Sequence, residues 1–345
     1  MKKVGILTGG GDCPGLNAVI RGIVRKGYEQ NWEALGIREG WRGIMQKKTF
    51  PLTLGSVSGI LPKGGTILGT SRTNPFKKDD GPKMVLNNFK EMGLDALIAI
   101  GGEDTLGVAA KMFDQGLKVV GAPKTIDNDL NGTDFTIGFD TAVNIVTEAI
   151  DRLHTTAESH NRVMIVEVMG RHAGWVACFS GIAGGADVIL IPEKPMEVDS
   201  VCDIIKKRHE RGKNFSIVVA AEGAKILDKG KETVVSTAAK TDEFGHITLG
   251  GIGSVLAEMI EKKTGFETRV TVLGHIQRGG TPSAFDRILG TAYGVYAMDL
   301  VLKEQYGKMP ALTCGRLETI EIKDAVKGLK TLNPYFYDLA KVFFG

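Results

Sequence analysis

Cysteine is scarce: the four in 345 residues, Cys13, Cys178, Cys202 and Cys314, lie far apart, with no CxxC pair and no His at zinc spacing. That excludes a disulfide scaffold and a Cys-based zinc site, and a reduced, cytoplasmic chain is the expectation. No sign of charge dominates. Lys and Arg outnumber Asp and Glu by only 43 to 40, a net +3 that argues against a general nucleic-acid binder, so any functional positive charge must be local. Long apolar runs are absent too. No window approaches the roughly 18 consecutive apolar residues of a membrane span. The segment from Met1 to Gly5 leads straight into a strand-like run without the pattern of a signal peptide, and neither membrane nor secretion is expected. There is no Pro- or Ser-rich linker and no low-complexity tract.

What remains is 43% hydrophobic and 24% charged, the balance of a soluble globular protein long enough for two domains. Glycine is abundant, at 46 residues, with no collagen-like period. Short apolar runs ending in glycine alternate with helical patterns, which predicts α/β architecture with parallel sheets covered on both faces. Val4 to Leu7 reads as a strand, Gly9 to Gly15 as a loop, and Leu16 onward as a helix. Ala96 to Ile100 and Lys118 to Gly121 are further strands. A helix near Asp140 to Ser159 leads to a second set, with strands Val163 to Val168, Val188 to Ile191, Ile217 to Ala221 and Thr268 to Val272. The polar stretch Ala224 to Ile247 reads as an irregular insertion or hairpin. Ligands of open α/β sheets sit beyond the carboxyl ends of strands, so those exits are where chemistry is sought.

Gly9-Gly10-Gly11-Asp12-Cys13-Pro14-Gly15 follows one strand and precedes a helix. Two readings stand side by side: an anion cradle of backbone amides, or a plain tight turn. Pro14 breaks GxGxxG and no Lys-Ser/Thr follows, which removes the dinucleotide and Walker fingerprints and with them a nicotinamide-dependent oxidoreductase. Thr70-Ser71-Arg72-Thr73 offers a second phosphate clamp, with Arg72 able to bind two oxygens at once. Glu103 and Asp104 sit at one strand exit, and Asp127 and Asp129 at the next, in Lys124-Thr125-Ile126-Asp127-Asn128-Asp129. Each carboxylate alone is an ordinary cap; together, beside a phosphate cradle, they suit Mg²⁺. The later half adds Arg162, Met169-Gly170-Arg171, Glu222, Arg269 and Leu273-Gly274-His275-Ile276-Gln277-Arg278-Gly279-Gly280, a set suited to an anionic sugar.

In order and approximate spacing, these blocks resemble the phosphofructokinase family from Val4 to about Ala297. The resemblance implies two doubly wound, three-layer α/β lobes with mostly parallel sheets and the active site in the cleft between them. One lobe, 1–139 plus about 277–325, would take the phosphoryl donor and Mg²⁺; the other, 140–276 plus about 326–345, the sugar phosphate. Asp127 looks like the family's general base, with Thr125 and Ile126 beside it, and Glu103 like its metal residue, with Asp129 supporting the metal through water. Gly11 and Arg72 match donor contacts. Arg162, Met169, Gly170, Arg171, Glu222, Arg269, His275, Ile276, Gln277 and Arg278 match contacts to fructose 6-phosphate. Arg162 and Arg269 would reach in from a neighbouring subunit, which implies a homodimer or homotetramer.

Asp104 and Lys124 stand where ATP-using members commonly have glycine, and as a pair they resemble the pyrophosphate-dependent branch, although some ATP-using members also carry the lysine. A carboxylate about 4 Å from a phosphate charge costs roughly 4 kcal/mol at an effective dielectric near 20, or about a thousandfold in affinity. The Lys124 ammonium would neutralise pyrophosphate instead. The expected reaction is reversible transfer from pyrophosphate to the 1-hydroxyl of fructose 6-phosphate, and ATP is the alternative donor. Arg21, Arg25, Arg211 and Lys213 resemble a nucleotide-effector site, but Leu54 and His154 replace further arginines, so the site is expected to be incomplete.

Overall fold

In the computed structural model, which describes residues 1–233, 236–241 and 247–345, strands and helices alternate along the chain. The chain divides into two units. The first comprises Met1–Thr141 and Arg278–Leu329 among the described residues, and the second Ala142–Thr241, Ile247–Gln277 and Lys330–Gly345.

The sheet of the first unit contains β1 (Lys2–Thr8), β2 (Trp32–Ile37), β3 (Thr49–Leu52), β4 (Ala96–Gly101) and β5 (Val119–Pro123), in the order β3-β2-β1-β4-β5. Four strands are parallel, and β3 runs antiparallel along one edge. Every residue of β4 and β5 is buried, which is why these strands read as unbroken apolar runs instead of alternating ones. Helix α1 (Leu16–Glu29) follows β1, and α2 (Glu103–Asp114) follows β4. The start of α2 puts Glu103 and Asp104 inside its first turn, where carboxylates are favoured by the helix dipole.

Helix α3 (Phe139–His160) opens in the first unit and is fastened there by Asp286, whose carboxylate accepts from Gly138 N at 2.9 Å and Thr141 N at 2.8 Å. Much of the glycine content serves close packing. α1 meets α6 (Ala284–Leu302; α4 and α5 follow below) where a side chain on Gly294 would lie 2.3 Å from Val19 O.

The sheet of the second unit is all parallel: β6 (Val163–Val168), β7 (Val188–Leu190), β8 (Ser216–Ala221) and β9 (Thr268–Val272), in the order β9-β6-β8-β7. β6 and β8 are wholly buried. Helices α4 (Trp175–Ala183) and α5 (Ile252–Thr264) belong to this unit. In the 224–247 segment, Ile226–Asp228 pairs antiparallel with Lys231–Thr233, and Ser236–Thr241 with Ile247–Leu249. The rest of that segment, residues 234–235 and 242–246, lies outside the described residues. All four cysteines are free, and among the described residues no helix is long and apolar enough to cross a membrane.

Candidate functional site

The glycine loop leaves β1 and enters α1 through Gly15, whose φ of +104° is left-handed and whose Cβ position lies 2.4 Å from Ile137, so only glycine fits there. The loop is then pinned carbonyl by carbonyl. Lys124 Nζ donates to Gly9 O at 3.0 Å and also to Gly11 O, Thr70 Oγ1 donates to Gly10 O at 2.5 Å, and Arg278 Nη1 donates to Asp12 O at 3.4 Å. In a trans peptide the next N–H points opposite to each carbonyl, so the amides of Gly11, Asp12 and Cys13 turn away from these donors. That orientation fits an anion cradle better than a turn closed on itself. Gly10 N bonds to Ser71 O at 3.3 Å, zipping the loop to the 70–73 segment and bringing exposed Arg72 beside it.

Lys124 sits lower than a donor-facing cation would. It is 3% exposed, and burial pulls its ammonium below the usual lysine range. A side chain at Gly11 would meet Arg278 Nη1 at 2.6 Å, so the guanidinium packs directly over the loop. This places Arg278 in the first unit beside the predicted donor contacts, although the resemblance grouped it with the sugar.

The acidic run 127–129 is shaped by a residue that had no role in the sequence reading. Asn128 adopts a left-handed φ of +51°, a conformation asparagine tolerates better than most residues. Its side chain accepts from Thr136 N and donates to Asp134 O, both at 3.0 Å. Thr136 Oγ1 in turn donates to Thr125 O at 2.6 Å. The reversed turn leaves Asp127 Oδ1 buried without a hydrogen-bond partner. Burial, and next the charge of Asp127, push the Asp129 carboxyl above the usual carboxylate range. Glu103 contributes to the same shift.

A buried carboxylate oxygen without a hydrogen-bond partner, in a run with a second carboxyl, is the donor chemistry a divalent cation satisfies. Among the described residues no three His, Cys, Asp or Glu side chains converge as a metal-ligand set. Ile126, expected at the substrate, is 0% exposed, and its side chain belongs to the core.

Asp104 borders a hollow of about 410 Å³ together with Glu103, Gly107, Lys111 and Lys323. Both lysines have other contacts, Lys323 with Asp114 at 2.6 Å and Lys111 over the Phe76 ring.

In the second unit, the Met169–Arg171 loop leaves β6. Gly170 has a φ of +145°, and its carbonyl accepts from Gly223 N at 3.1 Å, next to Glu222, whose own N–H reaches Val168 O. Arg171 Nε is buried without a partner. Glu193, absent from the sequence reading, receives Gly174 N at 3.0 Å and Leu332 N at 2.8 Å, fixing the start of α4 just after this loop. Arg162, just before β6, and Arg269, on the neighbouring β9, share Glu267, Arg162 at 2.8 Å; their guanidiniums hold the Glu267 carboxyl below the usual range. His275 and Ile276 are exposed, but Gln277 is 0% exposed, with its amide spent on Met169 N and Gly274 O. Gln277 therefore does not present its side chain to a ligand. Of the effector-like positions, Arg211 donates to Gly345 O, and the His154 ring bonds Gly184 O at 2.8 Å.

The profile described as phosphofructokinase matches residues 3–301. A Streptomyces coelicolor protein named pyrophosphate–fructose 6-phosphate 1-phosphotransferase is 56% identical over 345 residues, covering 99% of this chain and 100% of that protein. ATP-dependent 6-phosphofructokinase 3 of the same organism is 48% identical, with 96% of each chain covered. Among solved structures, phosphofructokinase from Saccharomyces cerevisiae superposes with a TM-score of 0.82 at 30% identity, over 99% of this chain and 47% of the yeast one.

Proposed function

The chain belongs to the phosphofructokinase family, and from that premise we propose that it transfers a phosphoryl group reversibly from pyrophosphate to the 1-hydroxyl of fructose 6-phosphate. The products are fructose 1,6-bisphosphate and phosphate. The relative carrying the pyrophosphate name is more similar, at 56%, than the ATP-dependent one, at 48%. The observation that carries the donor choice is Asp104 in the first turn of α2, on the rim of the 410 Å³ hollow. A nucleoside triphosphate entering that hollow would bring its inner phosphate against the carboxylate, a clash pyrophosphate does not incur.

The donor rests on the glycine-loop amides and Arg72. Enzymes of this family use a divalent metal, and we assign Mg²⁺, held by Glu103 with Asp129 behind it. The ion would neutralise charge on the donor oxygens. Asp127 takes the proton from the sugar hydroxyl as its oxygen forms the new bond to phosphorus; the bridging P–O bond breaks and orthophosphate leaves. Arg171, Glu222 and His275 hold fructose 6-phosphate, with Met169 and Gly170 shaping the backbone around it. Arg162 and Arg269 serve a neighbouring subunit of a homo-oligomer. The four unpaired cysteines fit a cytoplasmic setting. Initial rates with pyrophosphate and with ATP at equal Mg²⁺ test the assignment: pyrophosphate is the efficient donor, and comparable or better use of ATP refutes it.

A further inference from the structure

We propose that Gln277 is a positioning residue that sets the spacing of two sugar-phosphate loops without touching the ligand, an inference that rests on the second unit's taking fructose 6-phosphate. Its side chain is completely buried. Oε1 accepts from Met169 N at 3.2 Å and Nε2 donates to Gly274 O at 3.0 Å. Met169 is the first residue after β6, and Gly274 begins the turn that carries His275. The same turn is tied back once more, by Leu273 N to Glu167 O at 3.0 Å, which continues the parallel register of β9 on β6 beyond Val272. Two cross-links thus join the exit of β6 to the exit of β9, and one of them is a side chain.

The chemistry of the link requires a carboxamide. One end must accept from an N–H and the other must donate to a carbonyl, at a site closed to water. A carboxylate can do only the first, and a thioether does neither usefully. With the link intact, Arg171 and His275 stand on loops of fixed separation. Without it the loops shift independently, and misplacement on the scale of 1 Å can cost on the order of a hundredfold in catalysis.

Gln277→Met and Gln277→Glu separate the possibilities. In the ligand-free enzyme, NMR amide exchange should show Met169 N–H protected in wild type, exposed to exchange in Gln277→Met, and still protected in Gln277→Glu, whose carboxylate keeps the acceptor. In kinetics, Gln277→Met should raise KM for fructose 6-phosphate about tenfold or more and leave KM for pyrophosphate within about twofold of wild type. Gln277→Glu should show the same defect, because its carboxylate has no donor for Gly274 O.

Unchanged Met169 exchange in Gln277→Met overturns the proposal, as does an equal loss for both substrates. Should Gln277→Met fail to fold, the kinetics of Gln277→Glu decide, and a KM for fructose 6-phosphate within about twofold of wild type overturns it. A wild-type enzyme inactive with pyrophosphate and fructose 6-phosphate would instead defeat the functional assignment, leaving the exchange result to stand by itself.

Discussion

Lys124 lies under the glycine loop with its ammonium 3.0 Å from Gly9 O, buried and engaged by backbone. The cation that the sequence placed against the donor therefore acts first on the glycine loop. Lys124→Met keeps the length and removes the donors. Hydrogen bonds from charged groups are worth about 1.5–3 kcal/mol, so KM for pyrophosphate should rise roughly ten- to a hundredfold, with KM for fructose 6-phosphate nearly unchanged. Steady-state kinetics with each substrate varied in turn measures this, and equal losses for both would contradict it.

Asp104→Gly removes the carboxylate from the rim of the hollow beside α2. Up to about a thousandfold gain in ATP affinity is expected from the relieved repulsion, together with a loss of turnover on pyrophosphate. Competition by ATP against pyrophosphate in both proteins reads the change directly.

Asp127→Asn keeps the size of the side chain but removes the carboxylate we propose as the base. Turnover should fall about 10²- to 10⁴-fold, while calorimetric binding of fructose 6-phosphate changes little. Weakened binding of the sugar by a comparable factor would assign Asp127 to recognition instead.

Asp286 bears on stability. Burial pushes its carboxyl up to about 6 from an ordinary value of 3.8, although Gly138 and Thr141 donate to it. The folded protein therefore binds the proton more tightly than the unfolded chain, and stability falls as pH rises from about 4 to about 6. Near 1.4 kcal/mol per unit, the span is about 3 kcal/mol. Denaturant unfolding of wild type and Asp286→Asn across pH 4–7 should show the variant gaining relative to wild type by up to that amount. Parallel pH curves would refute it.

Strands buried on both faces were legible because such burial writes them as apolar runs, and Val163–Val168 stands where the sequence put it; Thr268–Val272 also stands there, as a part-exposed edge strand rich in β-branched residues. The strands Trp32–Ile37 and Thr49–Leu52 were not read, being part-exposed segments, the second at the sheet edge, with a weaker pattern. Charged and glycine-rich blocks marked the site region by residue type. Residue type did not tell Gln277 and Ile126, both at 0% exposure, from exposed neighbours such as His275. Nor did it announce Asn128 or Glu193, whose work is to hold backbone in place.

Composition and local pattern thus determined the α/β class, the strand exits and the kinds of charge gathered there, since hydrophobic periodicity and turn chemistry act between near neighbours in sequence. Only the tertiary structure decided which way each side chain faces, because that depends on partners far along the chain: Lys124 meets Gly9, Arg278 meets Asp12, and Gln277 meets Met169. Burial and hydrogen-bond satisfaction are properties of the assembled fold, and they separate the groups that can touch a substrate from those that hold such groups still.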